Sequence, residues 1–135
     1  MEIMRNNIKV VELLPITLDD ADITGSAVDC QNGNHESFDT ALVIIQVGSV
    51  GANVTKAEVV IQESDASNFS APTTAEGGSA VDISAGDSTF TAQIKRTKRY
   101  IRAFVNIEVD GADDDVEVGV SAVLWNYAKP FPIIA

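Results

Sequence analysis

A chain of 135 residues, 45% of them hydrophobic, fits one domain with a core of its own, since a fold of that size buries roughly 68% of the surface that the unfolded chain exposes. Its formal net charge of −11 excludes generic nucleic-acid binding, because phosphate contacts need excess Lys and Arg and the protein's own field opposes them. Cys30 is the only cysteine, which excludes an internal disulfide, and no run approaches the ~20 apolar residues of a bilayer span. The expectation is a protein made soluble in a reducing cytoplasm, without a signal peptide, a membrane partner or a nucleic-acid partner.

Val and Ile dominate the apolar runs, so the chain is read as sheet throughout. Ile8 to Leu14 is a first strand or an extended N-terminal arm (about residues 1–15), with Pro15 closing it. Thr17 to Asp29 is read as a short strand flanked by turns, and Gln31-Asn32-Gly33-Asn34 as a turn, since Asn and Gly take positive φ at low cost. Ser37 to Val47 becomes apolar on both faces through Ala41–Ile45, which predicts a central, deeply buried strand. Val54 to Glu63 resumes a period of two, with Ala57, Val59 and Ile61 inward.

Ser64 to Ser79 is polar, broken by Pro72 and Gly77-Gly78 and anchored by Phe69, which predicts a long surface loop. Val81 and Ile83 give a short strand, and Phe90, Ala92 and Ile94 mark the next. Lys98 to Val109 alternates cleanly, with Ile101, Ala103, Val105, Ile107 and Val109 on one face and Tyr100, Arg102 and Phe104 on the other. An acidic turn at Asp110–Asp115 leads to Val116, Val118, Val120, Ala122 and Leu124, the inward face of a last long strand, and the two long strands are predicted to pair as a hairpin. The C-terminal tail (about 128–135) contains two prolines and cannot join a central strand. The fold class predicted is all-β: a single-domain antiparallel β-sandwich, jelly-roll-like, with an immunoglobulin-like Greek key as the alternative.

Catalytic chemistry has little support. His35, the lone histidine, sits in a turn beside Glu36, and with Cys30 it makes no nucleophile–base arrangement. Asp110, Asp113, Asp114, Asp115 and Glu117 lack the spacing of a calcium loop and are read as a solvated turn, as are Asp19, Asp20 and Asp22. Glu58, Glu63 and Asp65 lack the aromatic cleft that glycoside hydrolysis needs. The expectation is no enzyme, no cofactor and no metal site.

Binding has more. Tyr100, Arg102 and Phe104 place large amphipathic groups where a solvated face would carry Thr and Lys. Lys95, Arg96, Lys98, Arg99 and Arg102 gather five of the nine basic residues into eight positions. They are either cations balancing nearby carboxylates or an electrostatic latch onto an acidic partner. Val123, Trp125 and Tyr127 share an outward face that a β-hairpin would set beside Tyr100 and Phe104, and Phe131 in the tail is placed to reach a neighbouring subunit.

The run Val59-Val-Ile-Gln-Glu-Ser-Asp, followed by Phe69, by Lys98-Arg-Tyr-Ile-Arg, and preceded by Glu36-Ser37-Phe38, resembles small structural proteins of tailed bacteriophages encoded near the major capsid protein. The likeness covers about two-thirds of the chain. It departs at Ala66, where such proteins often carry a second acidic residue, and at Arg96-Thr97, where they have a Gly. The resemblance implies a decoration or cement protein on the capsid exterior of the virion. Its partners would be the major capsid protein and itself, as a homotrimer in preference to a dimer. The contacts expected are Tyr100, Arg102, Phe104, Trp125, Tyr127 and Phe131, with Lys95, Arg96, Lys98 and Arg99 supplying the electrostatic part. The alternatives are a carbohydrate-binding β-sandwich module, which predicts Trp125 and Tyr100 side by side, and a tail or neck component of the same virion.

Overall fold

In a computed structural model, which describes residues 8–31, 38–111 and 114–126, the chain forms ten strands and, among the described residues, no helix. They are β1 (Ile8–Asp19), β2 (Ile23–Thr24), β3 (Val28–Asp29), β4 (Thr40–Val50), β5 (Val54–Ser64), β6 (Thr73–Thr74), β7 (Val81–Asp82), β8 (Ser88–Lys95), β9 (Tyr100–Val109) and β10 (Val116–Trp125). Sheet A has the order β1-β10-β4-β8. Sheet B has the order β2-β9-β5-β6, with β3 also on β9 and β7 also on β5. All pairings are antiparallel.

Four ladders nest inside one another along the chain: β1 with β10, β2 and β3 with β9, β4 with β8, and β5 with β6 and β7. Together they are one long antiparallel ribbon. Rolling that ribbon up adds the β10–β4 and β9–β5 ladders and closes two sheets. This is a jelly roll, in which the short pairs β2/β3 and β6/β7 each take one of eight strand positions.

The rolled topology overturns the expected hairpin. β9 lies in sheet B and β10 in sheet A, so the acidic turn crosses between sheets instead of reversing within one. Main-chain bonds hold that crossing against the β4–β5 connection, which makes the same passage: Asp110 N–H donates to Asn53 O (2.8 Å) and Gly51 N–H to Asp115 O (3.0 Å), while the Asp114 carboxylate accepts from Asn53 N–H. Alternation could not distinguish the two outcomes, since an inward apolar face serves a strand equally well in either sheet.

The inner faces meet in one core. Leu13, Val43, Ile45, Ile94, Val118 and Leu124 come from sheet A, and Val59, Ile61, Ile101 and Val105 from sheet B, all essentially without solvent exposure. Full burial of each such side chain contributes about 2 kcal/mol. The inward sets read from β5, β9 and β10 are those observed, with Val109 only half-buried at the end of β9. β4 is central, but only one of its faces is buried: Leu42 and Gln46 face solvent, which corrects the expectation of burial on both sides.

Residues 8–15 belong to an edge strand rather than a detached arm, and Pro15 lies within it. Register shifts between Glu12 and Leu14 and between Leu14 and Thr17 accommodate the proline, which an edge strand tolerates because its N–H is not needed there. Residues 1–7, the turn at 32–37 with His35, Asp113 and the tail at 128–135 lie outside the described residues. Within the long loop after β5, Phe69 is buried at φ 51°, as the anchor its apolar ring predicted.

Candidate interaction surface

The segments Val59–Asp65, Phe69 and Lys98–Arg102 touch one another. β5 ends in Gln62-Glu63-Ser64, followed by Asp65, and the side chains of Gln62, Glu63 and Asp65 hold β9 or the segment that leads into it. Gln62 Oε1 accepts from Arg102 Nε at 2.8 Å. The Glu63 carboxylate, only 5% exposed, accepts from Thr97 N–H (2.9 Å), Thr97 Oγ1 (2.7 Å) and Lys98 N–H (3.3 Å). Ser64 Oγ accepts from Ala66 N–H, and Asp65 Oδ1 from Arg99 N–H at 3.4 Å. The run therefore clamps the β8–β9 crossover, and its polar composition follows from that task.

The arginines of the basic cluster are engaged within the chain. Arg99 grips Asp29 through two parallel bonds, Nε to Oδ1 at 3.0 Å and Nη2 to Oδ2 at 2.8 Å. This contact holds the Asp29 carboxyl below the usual aspartate value and raises Arg99 above its own. Arg96 donates from Nε to Phe38 O and from Nη1 to Lys98 O (2.9 Å). The Arg102 guanidinium lies 4.3 Å from the centre of the Phe69 ring, a cation–π contact that pins the long loop onto sheet B. Lys95 is exposed and Lys98 half-buried at the rim.

The expected aromatic strip is divided between two faces. Tyr100, Arg102 and Phe104 are half-buried on the outer face of sheet B, where Phe104 sits between Thr24 and Val60. Trp125, also half-buried, belongs to sheet A, opposite Ile8 and Thr40. The supposed neighbours are thus on different sheets, because β9 and β10 do not pair. Tyr127 and Phe131 lie outside the described residues.

A different apolar surface takes its place. Among the described residues the exposed large hydrophobic side chains are Val10 (71%), Ile16 (72%), Leu18 (56%) and Leu42 (36%), and all four lie on the outer face of sheet A. Val10, Val123 and Leu42 form one row across β1, β10 and β4. Ile44 lies in the next row, opposite Ser121. Ile16 packs down over Gly119, where a Cβ would come within 2.9 Å of Ile16 Cγ1. Beside that contact the β1 irregularity opens a shallow groove lined by Glu12, Leu14, Ile16, Gln46, Gly119 and Ser121.

Sequence reasoning missed this surface for two reasons. Ile16 and Leu18 follow a proline, which predicts the end of a strand, and Leu42 stands in an apolar run that predicts burial on both sides. The usable signal was Ile16-Thr17-Leu18, a period of two that continues past Pro15.

Among the described residues there is no group of three or more His, Cys, Asp or Glu side chains placed to hold a metal ion. Burial pushes the Cys30 thiol up to about 11, the opposite of an activated nucleophile. No protein-family model matches the chain, and no curated protein matches it.

Proposed function

We propose that the chain is a non-enzymatic virion structural protein that docks on the outside of a tailed-phage head lattice and stabilises it, assembling there with copies of itself. The observation that carries this reading is that, among the described residues, the four exposed large hydrophobic side chains all lie on the outer face of sheet A, a surface suited to covering by another protein. A strongly acidic chain stays soluble at high copy number, and a jelly roll with its crossovers clamped offers a rigid docking face. The sequence likeness to small phage structural proteins supports the choice of the capsid as partner.

The carbohydrate-module alternative predicts Trp125 and Tyr100 side by side, and their places on different sheets favour the first reading over it. A tail or neck role uses the same surfaces and differs in copy number. Co-sedimentation of the purified chain with expanded and unexpanded heads tests the proposal. Saturable binding of hundreds of copies to expanded heads supports decoration, a few copies per particle moves the protein to the tail or neck, and no binding removes the virion reading.

A further inference from the structure

Each sheet of an open sandwich has two edges, and an uncovered edge invites another strand. Three of the four edge positions here are blunted. β2 with β3, and β6 with β7, are two-residue strands. β1 carries Pro15, two register shifts and the charged side chains of Lys9, Glu12 and Asp19. β8 has none of these protections. Its eight residues run against β4 without a register shift, contain no proline, and carry no charge before Lys95.

The direction of its free backbone groups follows from one bond. Lys95 N–H donates to Glu76 O at 3.0 Å, on the side away from β4. The unbroken register then turns the N–H and C=O groups of Gln93, Thr91 and Thr89 the same way. Gly77 lies against Gln93 O, so the covered part of the edge ends there. Among the described residues nothing pairs with the outer edge at Thr89 and Thr91. On the inward side of the same stretch Phe90 and Ala92 are only half-buried, a remnant of core left at the rim.

We infer that the stretch Ser88–Ala92 of β8 is a self-pairing edge, which joins antiparallel to the same stretch of a second copy and continues sheet A across a two-fold axis. A second copy fits this edge because the stretch is charge-free in a chain of net charge −11, so two copies meet there without opposing carboxylates. Pairing satisfies the main-chain groups of Thr89 and Thr91 in both copies and covers Phe90 and Ala92 with their counterparts. Antiparallel pairing of one edge with itself closes after two copies, giving a dimer rather than the trimer that the resemblance implies. The inference takes from the proposed function only that copies associate, and leaves the outer face of sheet A free for the head.

Sedimentation equilibrium of the full chain at tens of micromolar tests it, together with hydrogen exchange at Thr89 and Thr91. The wild type should be dimeric, with both amides protected in a concentration-dependent way. The doubly substituted chain Thr89→Lys/Thr91→Lys should be monomeric, since it sets like charges across the axis at two solvent-facing positions. Its thermal unfolding, extrapolated to the monomer, shows that the fold is kept. Thr91→Pro, which removes an outward N–H, is the second variant and should also be monomeric. A monomeric or trimeric wild type overturns the inference, as does a dimer that survives both variants. Loss of head binding by a chain that remains dimeric tells against the proposed function alone.

Discussion

On the outer face of sheet B, three of the cross-strand pairs of β5 and β9 are polar and only Val60–Phe104 is apolar, whereas the outer face of sheet A mixes exposed Val10, Ile16, Leu18 and Leu42 with Glu12, Gln46 and Ser121. Lys56 faces Glu108 and pairs with Glu58 at 3.4 Å, Gln62 holds Arg102, and Arg102 in turn holds Phe69 from the loop above. In sheet A the row Val10–Val123–Leu42 has no such polar partners, and Ile16 and Leu18 are exposed further along β1, over Gly119 and opposite Glu117. Both sheets use the same inward alternation. The difference lies in the outward positions: one face holds the chain's own loop after β5, and the other leaves apolar side chains exposed.

The largest effect should come from breaking the clamp on the sheet B side. Glu63→Ala leaves Thr97 and Lys98 without their charged acceptor and should cost about 3 kcal/mol, as expected for losing hydrogen bonds to a buried carboxylate. The urea midpoint measures this. A loss under ~1 kcal/mol would mean that the crossover holds without Glu63.

The next is aimed at sheet A. Val10→Lys with Leu42→Lys should lower head binding at least ~10-fold, a loss of about 1.4 kcal/mol, while stability changes by no more than about 0.5 kcal/mol per site because both positions are exposed. Retained binding in the co-sedimentation assay would move the docking surface away from this face.

Arg102→Ala sharpens the contrast from the other side. It should cost about 1 kcal/mol of stability through the lost Phe69 contact and leave head binding unchanged. A binding defect with normal stability would instead return Arg102 to the docking surface, where its sequence context first placed it.

The smallest effect concerns the Asp29–Arg99 pair, which is too exposed to contribute much. The folded-state pKa of Asp29 is depressed, so its contribution is present above the usual value of 3.8 and is lost as pH falls through the lower folded value. Asp29→Asn should therefore narrow the stability difference between pH 6 and pH 3 by a few tenths of a kcal/mol. Urea titrations at the two pH values read it, and an unchanged difference would show that the pair is inert.

Alternation made much of the fold legible. Ile101–Ile107 and Val116–Leu124 announced two strands and the faces they bury, and Phe69 in a polar loop announced an anchor. The two sheets to which β9 and β10 belong were not legible, because Asp110-Gly111 and its acidic neighbours suit a hairpin tip as well as a crossover. That ambiguity carried into the candidate surface: Tyr100 and Trp125 were placed together by a ladder that does not form. The basic cluster was likewise visible as charge, while its engagement by Asp29, Phe38 O and Phe69 depends on residues roughly 30 to 70 positions away.

The sequence by itself determined an all-β sandwich, the inward residues of its long strands and a chemistry without a recognisable catalytic motif, because side-chain periodicity and residue type are local properties of the chain. Only the tertiary structure decided the rolled topology, the clamp built by Gln62–Asp65, the apolar outer face of sheet A and the bare edge of β8. Each of these depends on which strands become neighbours, and pairing between distant segments is set by how the whole ribbon buries its inner faces at once, which no local pattern records.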